Sequence, residues 1–153
     1  MFDRICDKID SILLDNPRAN IHVCGDFTVH HEEWLVHSHK TDMEGRHCHD
    51  FAIAYGLTQI LTEPTHVPDV ASYYPNLLDL FLTTCPDRSV SSVLSPLGRS
   101  YHSVVSVEFD TQLKETSDIS SIELSSVIQR PIGTDSDHSL RRPPLNLFLI
   151  WCL

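Results

Sequence analysis

Nothing constrains the fold of this chain more than the stretch Asn20–Thr28. Ile21, Val23 and Cys24 form a short apolar run of the kind that a central strand buries on both faces. The run stops at Gly25 and delivers Asp26 to the strand's C-terminal end, where open α/β sheets place their ligands. A carboxylate there, followed two residues later by the small polar Thr28, suits a metal-assisted phosphodiester hydrolase. As a purely structural feature, Gly25-Asp26-Phe27-Thr28 is a strand ending in a Gly-Asp turn.

The neighbouring elements follow from periodicity. Phe2, Ile5, Cys6, Ile9, Ile12 and Leu13 recur at helical spacing, with Asp3, Arg4, Asp7, Lys8 and Asp10 on the other face. This predicts an amphipathic helix ending near Asn16-Pro17. Thr28–Lys40 has no apolar period and reads as a loop anchored by Trp34 and Leu35. Thr41-Asp42-Met43-Glu44 matches a capping box with Thr41 at the cap. Met43, His47, Phe51 and Tyr55 then share one helical face, and Gly56 is placed to end that helix. Leu57–Leu61 reads as a strand, as does the alternating stretch around Leu78, Leu80 and Leu82, which carries Asp79 on the opposite face. Glu63–Asn76, with its prolines, is a loop between them. Val90–Leu94 and Tyr101–Phe109 add two more strands. His102 opens the last, and Val105, Val107 and Phe109 share one of its faces.

Composition sets the limits. A chain of 153 residues, 41% hydrophobic, supports one domain with a core. We read residues 1–109 as that domain. From Asp110 the chain turns to Ser, Thr and charge, with one weak helical pattern at Ile119, Ile122 and Val127, so 110–153 reads as a mostly disordered tail with an apolar C-terminus. Leu145–Leu153 is too short to span a bilayer, and the N-terminal residues lack the apolar stretch of a signal peptide. The net charge is -10, with 21 acidic and 11 basic residues. Such a chain has no general attraction for nucleic acid, and a role there needs a local basic site or a bridging cation. The 5 cysteines are odd in number and contain no Cys-x-x-Cys pair, which favours reduced thiols and an intracellular location.

Three residues carry the chemistry: Asp26 at the end of one strand, Asp79 within another, and His102 at the start of a third. Phosphodiester hydrolysis explains the set. A metal neutralises the phosphate, a carboxylate positions the attacking water, and an imidazole held by a second carboxylate acts at the phosphorus. The histidine clusters His30-His31, His37-x-His39 and His47-Cys48-His49 invite a zinc reading. Adjacent side chains point apart and no anchoring motif accompanies them, so solvated loop residues are the better account.

In order along the chain stand Gly25-Asp26-Phe27-Thr28, His31-x-x-Trp34-Leu35, Thr41-Asp42-x-x-Gly45-Arg46, Asp50-Phe51-Ala52, Gly56-Leu57-Thr58-Gln59, Glu63-Pro64-Thr65, Leu77–Thr83, Ser95-Pro96-Leu97-Gly98 and His102. Over roughly Met1–Phe109 this series resembles the second half of the endonuclease/exonuclease/phosphatase domain. It is most similar to the endonuclease of jockey-type non-LTR retrotransposons. The resemblance implies an α/β fold: an incomplete sandwich of about one mixed sheet with flanking helices. It implies DNA as the partner and Mg²⁺ as the cofactor. By the same resemblance Asp26 positions the water, Asp79 orients the catalytic His102, and Thr28 stands where the family's Asn contacts the scissile phosphate. Tyr101 stands where the family has a metal-site Asp. A phenol, with a pKa of about 10, is a poor ligand for Mg²⁺. Ser136-Asp137-His138 repeats the family's closing triplet, but the Arg141-Arg142-Pro143-Pro144 after it cannot continue as a central strand.

By the same resemblance the family's first half carries an early Asn, a metal-binding Glu and Tyr and His residues at the phosphate, and nothing before Phe2 can supply them. We therefore expect a truncated, degenerate endonuclease-like domain, inactive alone, with Mg²⁺ and DNA weakly held. The alternatives are a non-catalytic binding scaffold or an active nuclease completed by an N-terminal half. A sheet face left without its partner invites self-association.

Overall fold

The computed structural model describes residues 2–68, 74–109 and 146–151. Helix α1 (Phe2–Asp15) buries Ile5 and Ile9, two members of the expected apolar stripe. Its last turn closes with the Asn16 N–H donating to the Ile12 carbonyl, directly before Pro17. Strand β1 (Asn20–Asp26) follows, with Ile21, His22 and Val23 all buried. Helix α2 (Met43–Ala54) leads to the short β2 (Thr58–Gln59) and then β3 (Asp79–Thr83). A single 3₁₀ turn at Pro86–Arg88 precedes the hairpin of β4 (Ser89–Leu94) and β5 (Val104–Phe109). The last described strand is β6 (Asn146–Trp151).

The sheet order is β2-β3-β1-β6, with β4-β5 as a second, two-stranded sheet. β1 is antiparallel to β3 and parallel to β6. The architecture is thus mixed α/β, with two small sheets and two α-helices among the described residues, as expected for part of a sandwich.

Register decides which residues meet. His22 pairs with Thr83, Cys24 with Phe81 and Asp26 with Asp79, so these six share one face of the sheet. The other face carries Ile21, Val23, Leu80 and Leu82, each 0–1% exposed, in the same core cluster as Ile5, Ile9, Cys48 and Phe51. The hairpin packs on the first face: the Phe109 ring lies 4.4 Å from the His22 ring and 5.8 Å from Phe81. Asp79 thus lies on the face opposite Leu80 and Leu82, as the alternation predicts, and Phe81 between Asp79 and Thr83 gives that face its apolar part. The face expected to lie bare is partly covered, and a cavity of about 480 Å³ remains between hairpin and sheet, bordered by Cys24, Asp79, Phe81, Val105 and Phe109.

Other expectations shift for identifiable reasons. The cap of α2 is Asp42, not Thr41, because Asp42 Oδ1 accepts from the Gly45 N–H at 2.7 Å and the His30 N–H at 3.2 Å. Thr41 Oγ1 instead accepts from the Glu32 N–H. The buried face of α2 is Gly45, Cys48, Phe51 and Ala52, while Met43 is 64% exposed. Burial pushes the Cys48 thiol up to about 12. Leu57–Leu61 shortens to two strand residues because the Gln59 side chain takes over the ladder. Its Nε2 donates to the Leu61 carbonyl, and its Oε1 accepts from the Leu61 and Phe81 N–H groups. β5 begins at Val104, not Tyr101, and His102 makes only a single bridge, to His66. Asn146–Trp151, within the stretch read as tail, is a strand; residues 110–145, with Ser136-Asp137-His138, lie outside the described residues.

Candidate functional site

Asp26 and Asp79 sit directly opposite each other in the β1–β3 register, locked by the Phe27 N–H donating to the Leu78 carbonyl at 3.0 Å. Two like charges so placed repel. The group that answers them is His102, whose Nδ1 lies 2.9 Å from Asp79 Oδ2. An ionised carboxylate only accepts, so Nδ1 carries the proton and Nε2 is turned toward Asp26, 4.0 Å from its Oδ2. That gap is too long for a direct hydrogen bond. It leaves room for one oxygen to reach both atoms.

Thr65 holds this arrangement. It is fully buried, and its Oγ1 accepts from the Leu78 N–H at 3.1 Å and the Asp79 N–H at 2.9 Å. Its carbonyl accepts from the Ser103 N–H at 2.7 Å. One residue thus fixes the backbone on either side of the Asp79–His102 pair. His66 continues the same short extended segment. It exchanges two backbone hydrogen bonds with Asn76, and its ring stands edge-on to His102 at 5.1 Å. The sequence assigns no role to Thr65 or His66. The available signal is the run Glu63-Pro64-Thr65, where a small hydroxyl able to bond backbone groups follows a proline.

Thr28 lies at the site with its hydroxyl engaged: Oγ1 donates to Asp26 Oδ1 at 2.9 Å, and its backbone N–H donates to the same oxygen at 3.1 Å. Its φ is 48°, a left-handed conformation that β-branched residues rarely adopt. Asn tolerates that conformation and can donate its amide to Asp26. Thr28→Asn is therefore expected to raise the thermal midpoint by roughly 2–4 °C, the equivalent of about 0.5–1 kcal/mol. A lower midpoint in a melting scan would mean that the threonine hydroxyl outweighs the strain.

Tyr101 does not join the group. It is 53% exposed, and its ring faces His66 at 6.4 Å. Asp26, Asp79 and His102 alone bring ligand atoms within 4.8 Å of one another among the described residues. The donor set does not fit a tightly held Mg²⁺. Asp79 Oδ2 is engaged by His102, Asp26 Oδ1 by Thr28, and the third donor is an imidazole, whereas Mg²⁺ takes oxygen ligands in octahedral array.

Of the histidine clusters, His31 and His49 do approach, with ring centroids 4.7 Å apart beside Trp34. Burial, then the Lys40 charge, lowers the His30 pKa, against a raising pull from Asp42. No third ligand joins them among the described residues.

A carboxylate pair and an imidazole thus gather at one edge of the mixed sheet. The family of endonuclease-reverse transcriptase proteins matches residues 2–106, and the chain belongs to it. No curated protein and no solved structure matches the chain. Membership in a nuclease-like family points to nucleic acid as the substrate class and to a divalent metal. No described helix is long and apolar enough to cross a membrane.

Proposed function

We propose that the chain carries the Asp–His side of an endonuclease site, of the kind found in jockey-type non-LTR retrotransposons, and that on its own it does not cleave DNA. The observation that carries this reading is the 2.9 Å Asp79–His102 contact with Asp26 Oδ2 4.0 Å from the free ring nitrogen. In this reading Asp79 keeps the imidazole in one tautomer and orientation, as orienting carboxylates do. His102 Nε2 and Asp26 Oδ2, both acceptors, then share a water that donates to each, and Asp26 accepts its proton as the water attacks. Thr28 borders the phosphate. The donor set, with Tyr101 turned away toward His66, does not fit a tightly held divalent cation, and this accounts for the inactivity.

The test has two arms. Supercoiled plasmid incubated with the protein and Mg²⁺ or Mn²⁺ is expected to show no nicking above an Asp26→Ala control; metal-dependent nicking that this control lacks overturns the inactivity. Asp26→Ala is expected to weaken Mn²⁺ binding at least about tenfold by removing one of the two converging carboxylates. Unchanged Mn²⁺ affinity, measured by calorimetry, would remove the site from the metal-dependent class.

A further inference from the structure

We propose that Tyr101, backed by His66, forms a stacking ledge for an unpaired nucleobase beside the Asp79–His102 pair. For its ligand class the ledge rests on the nuclease reading above, which follows from membership of an endonuclease family. Three rings stand in a row. The Tyr101 and His66 ring centroids are 6.4 Å apart with 49° between the planes, and those of His66 and His102 are 5.1 Å apart with 65° between them. Backbone pairing holds the row in place. His66 and His102 form an antiparallel bridge. The Val67 N–H donates to the Tyr101 carbonyl on one side of it, and the Ser103 N–H donates to the Thr65 carbonyl on the other. The turn before Tyr101 is closed by the Ser100 N–H donating to the Leu97 carbonyl. Tyr101 is thus fixed beside the site and is still 53% exposed.

Singly exposed aromatic residues are ordinary on protein surfaces. This one differs because its row continues into the candidate site, where the His102 side chain at the other end is 37% exposed. Charge then selects the kind of contact. Asp26 and Asp79 repel phosphate, the chain carries a net charge of -10, and the closest Lys or Arg in sequence is Arg99, exposed and two positions before Tyr101. Phosphate contacts therefore supply little affinity, since they draw on cations. Stacking on an aromatic face draws on none and tolerates any base. A duplex keeps its base faces inside its own stack, so the ledge takes a base that is unpaired. The backbone flanking that base then leads to the Asp26–His102 edge, and Arg99 answers one of its phosphates.

The experiment uses the full chain with EDTA present and follows fluorescein-labelled DNA by anisotropy. The probes are a single strand of about ten adenine nucleotides, within the usual range of site sizes, an abasic strand of the same length and a duplex of that length. The parent chain is expected to bind the adenine strand at least about fivefold more tightly than the abasic strand. Tyr101→Ala should abolish that preference, and Tyr101→Phe should keep it. Log affinity for the adenine strand should fall against log salt with a slope of about -0.7, the value for one phosphate on a single strand. Equal affinity of the parent chain for the adenine and abasic strands overturns the ledge, and that comparison needs no variant to fold. A preference that survives Tyr101→Ala overturns it too, as does a salt slope of about -2 or steeper, which would mean that phosphate contacts carry the binding. Duplex or abasic DNA held equally by the parent and Tyr101→Ala, with no preference for the adenine strand, overturns the ledge and leaves the nuclease reading standing. No binding of any of the three probes removes nucleic acid as the ligand and overturns both.

Discussion

Thr65→Val is expected to cost about 3 kcal/mol and to pull Asp79 away from His102. Valine keeps the shape of threonine and removes only the hydroxyl. That hydroxyl accepts from the Leu78 and Asp79 N–H groups in a fully buried position. A buried donor left without a partner costs about 1–3 kcal/mol, and here two are orphaned at once. Thr65→Ser keeps the acceptor and loses one methyl, worth about 1 kcal/mol. Urea unfolding should therefore rank wild type above Ser and Ser above Val. The site supplies a second readout, because the His102 Nδ1 proton is shared with Asp79 Oδ2. Its NMR signal should persist in the serine variant and weaken or vanish in the valine variant. A valine variant as stable as the serine variant would show that water satisfies the freed N–H groups and that Thr65 does not hold the site.

The two kinds of residue at this site differ in how far the sequence exposes them. Asp26, Asp79 and His102 interrupt or end apolar strand patterns, and a charged group in such a place needs an explanation that strand pairing then supplies. Thr65 acts through backbone hydrogen bonds to residues distant in sequence, and no hydrophobic period records those. The same limit explains the cap of α2. Thr41 and Asp42 both suit a cap by local rules, and tertiary bonds select between them, the His30 N–H donating to Asp42 Oδ1 and the Glu32 N–H to Thr41 Oγ1. β6 shows the limit from the other side. Composition marks Leu145–Leu153 as apolar, but a strand that pairs with β1 across so long a connection leaves no local signature. Helix α1 and β1 are legible because their apolar patterns are local and complete, whereas α2 shows its ends but not its buried face, which is Gly45, Cys48, Phe51 and Ala52.

Gly45→Ala sets two local rules against each other, and magnitude decides between them. Gly45 lies inside α2, where alanine is intrinsically favoured over glycine by about 1 kcal/mol. A Cβ added there, however, would overlap the His30 carbonyl oxygen and carbon, both backbone atoms. The loop cannot yield easily, because the Asp42 N–H donates to that same carbonyl and Asp42 Oδ1 accepts from the His30 N–H. Overpacking against fixed structure costs typically 1–3 kcal/mol and more where backbone must move, so the net expectation is a loss of about 3 kcal/mol. Against a total of about 5–15 kcal/mol that is a large fraction. The displacement would also run back along the chain through Val29, itself buried, to Thr28 and Asp26. Gly56→Ala supplies the comparison. Its φ is +61° with nothing within 4 Å of an added Cβ, so it carries only the left-handed penalty of about 1–2 kcal/mol. Urea midpoints should place Gly45→Ala well below Gly56→Ala. The reverse order would mean that α2 and the loop after β1 slide apart freely, and that the loop does not fix Thr28 beside Asp26.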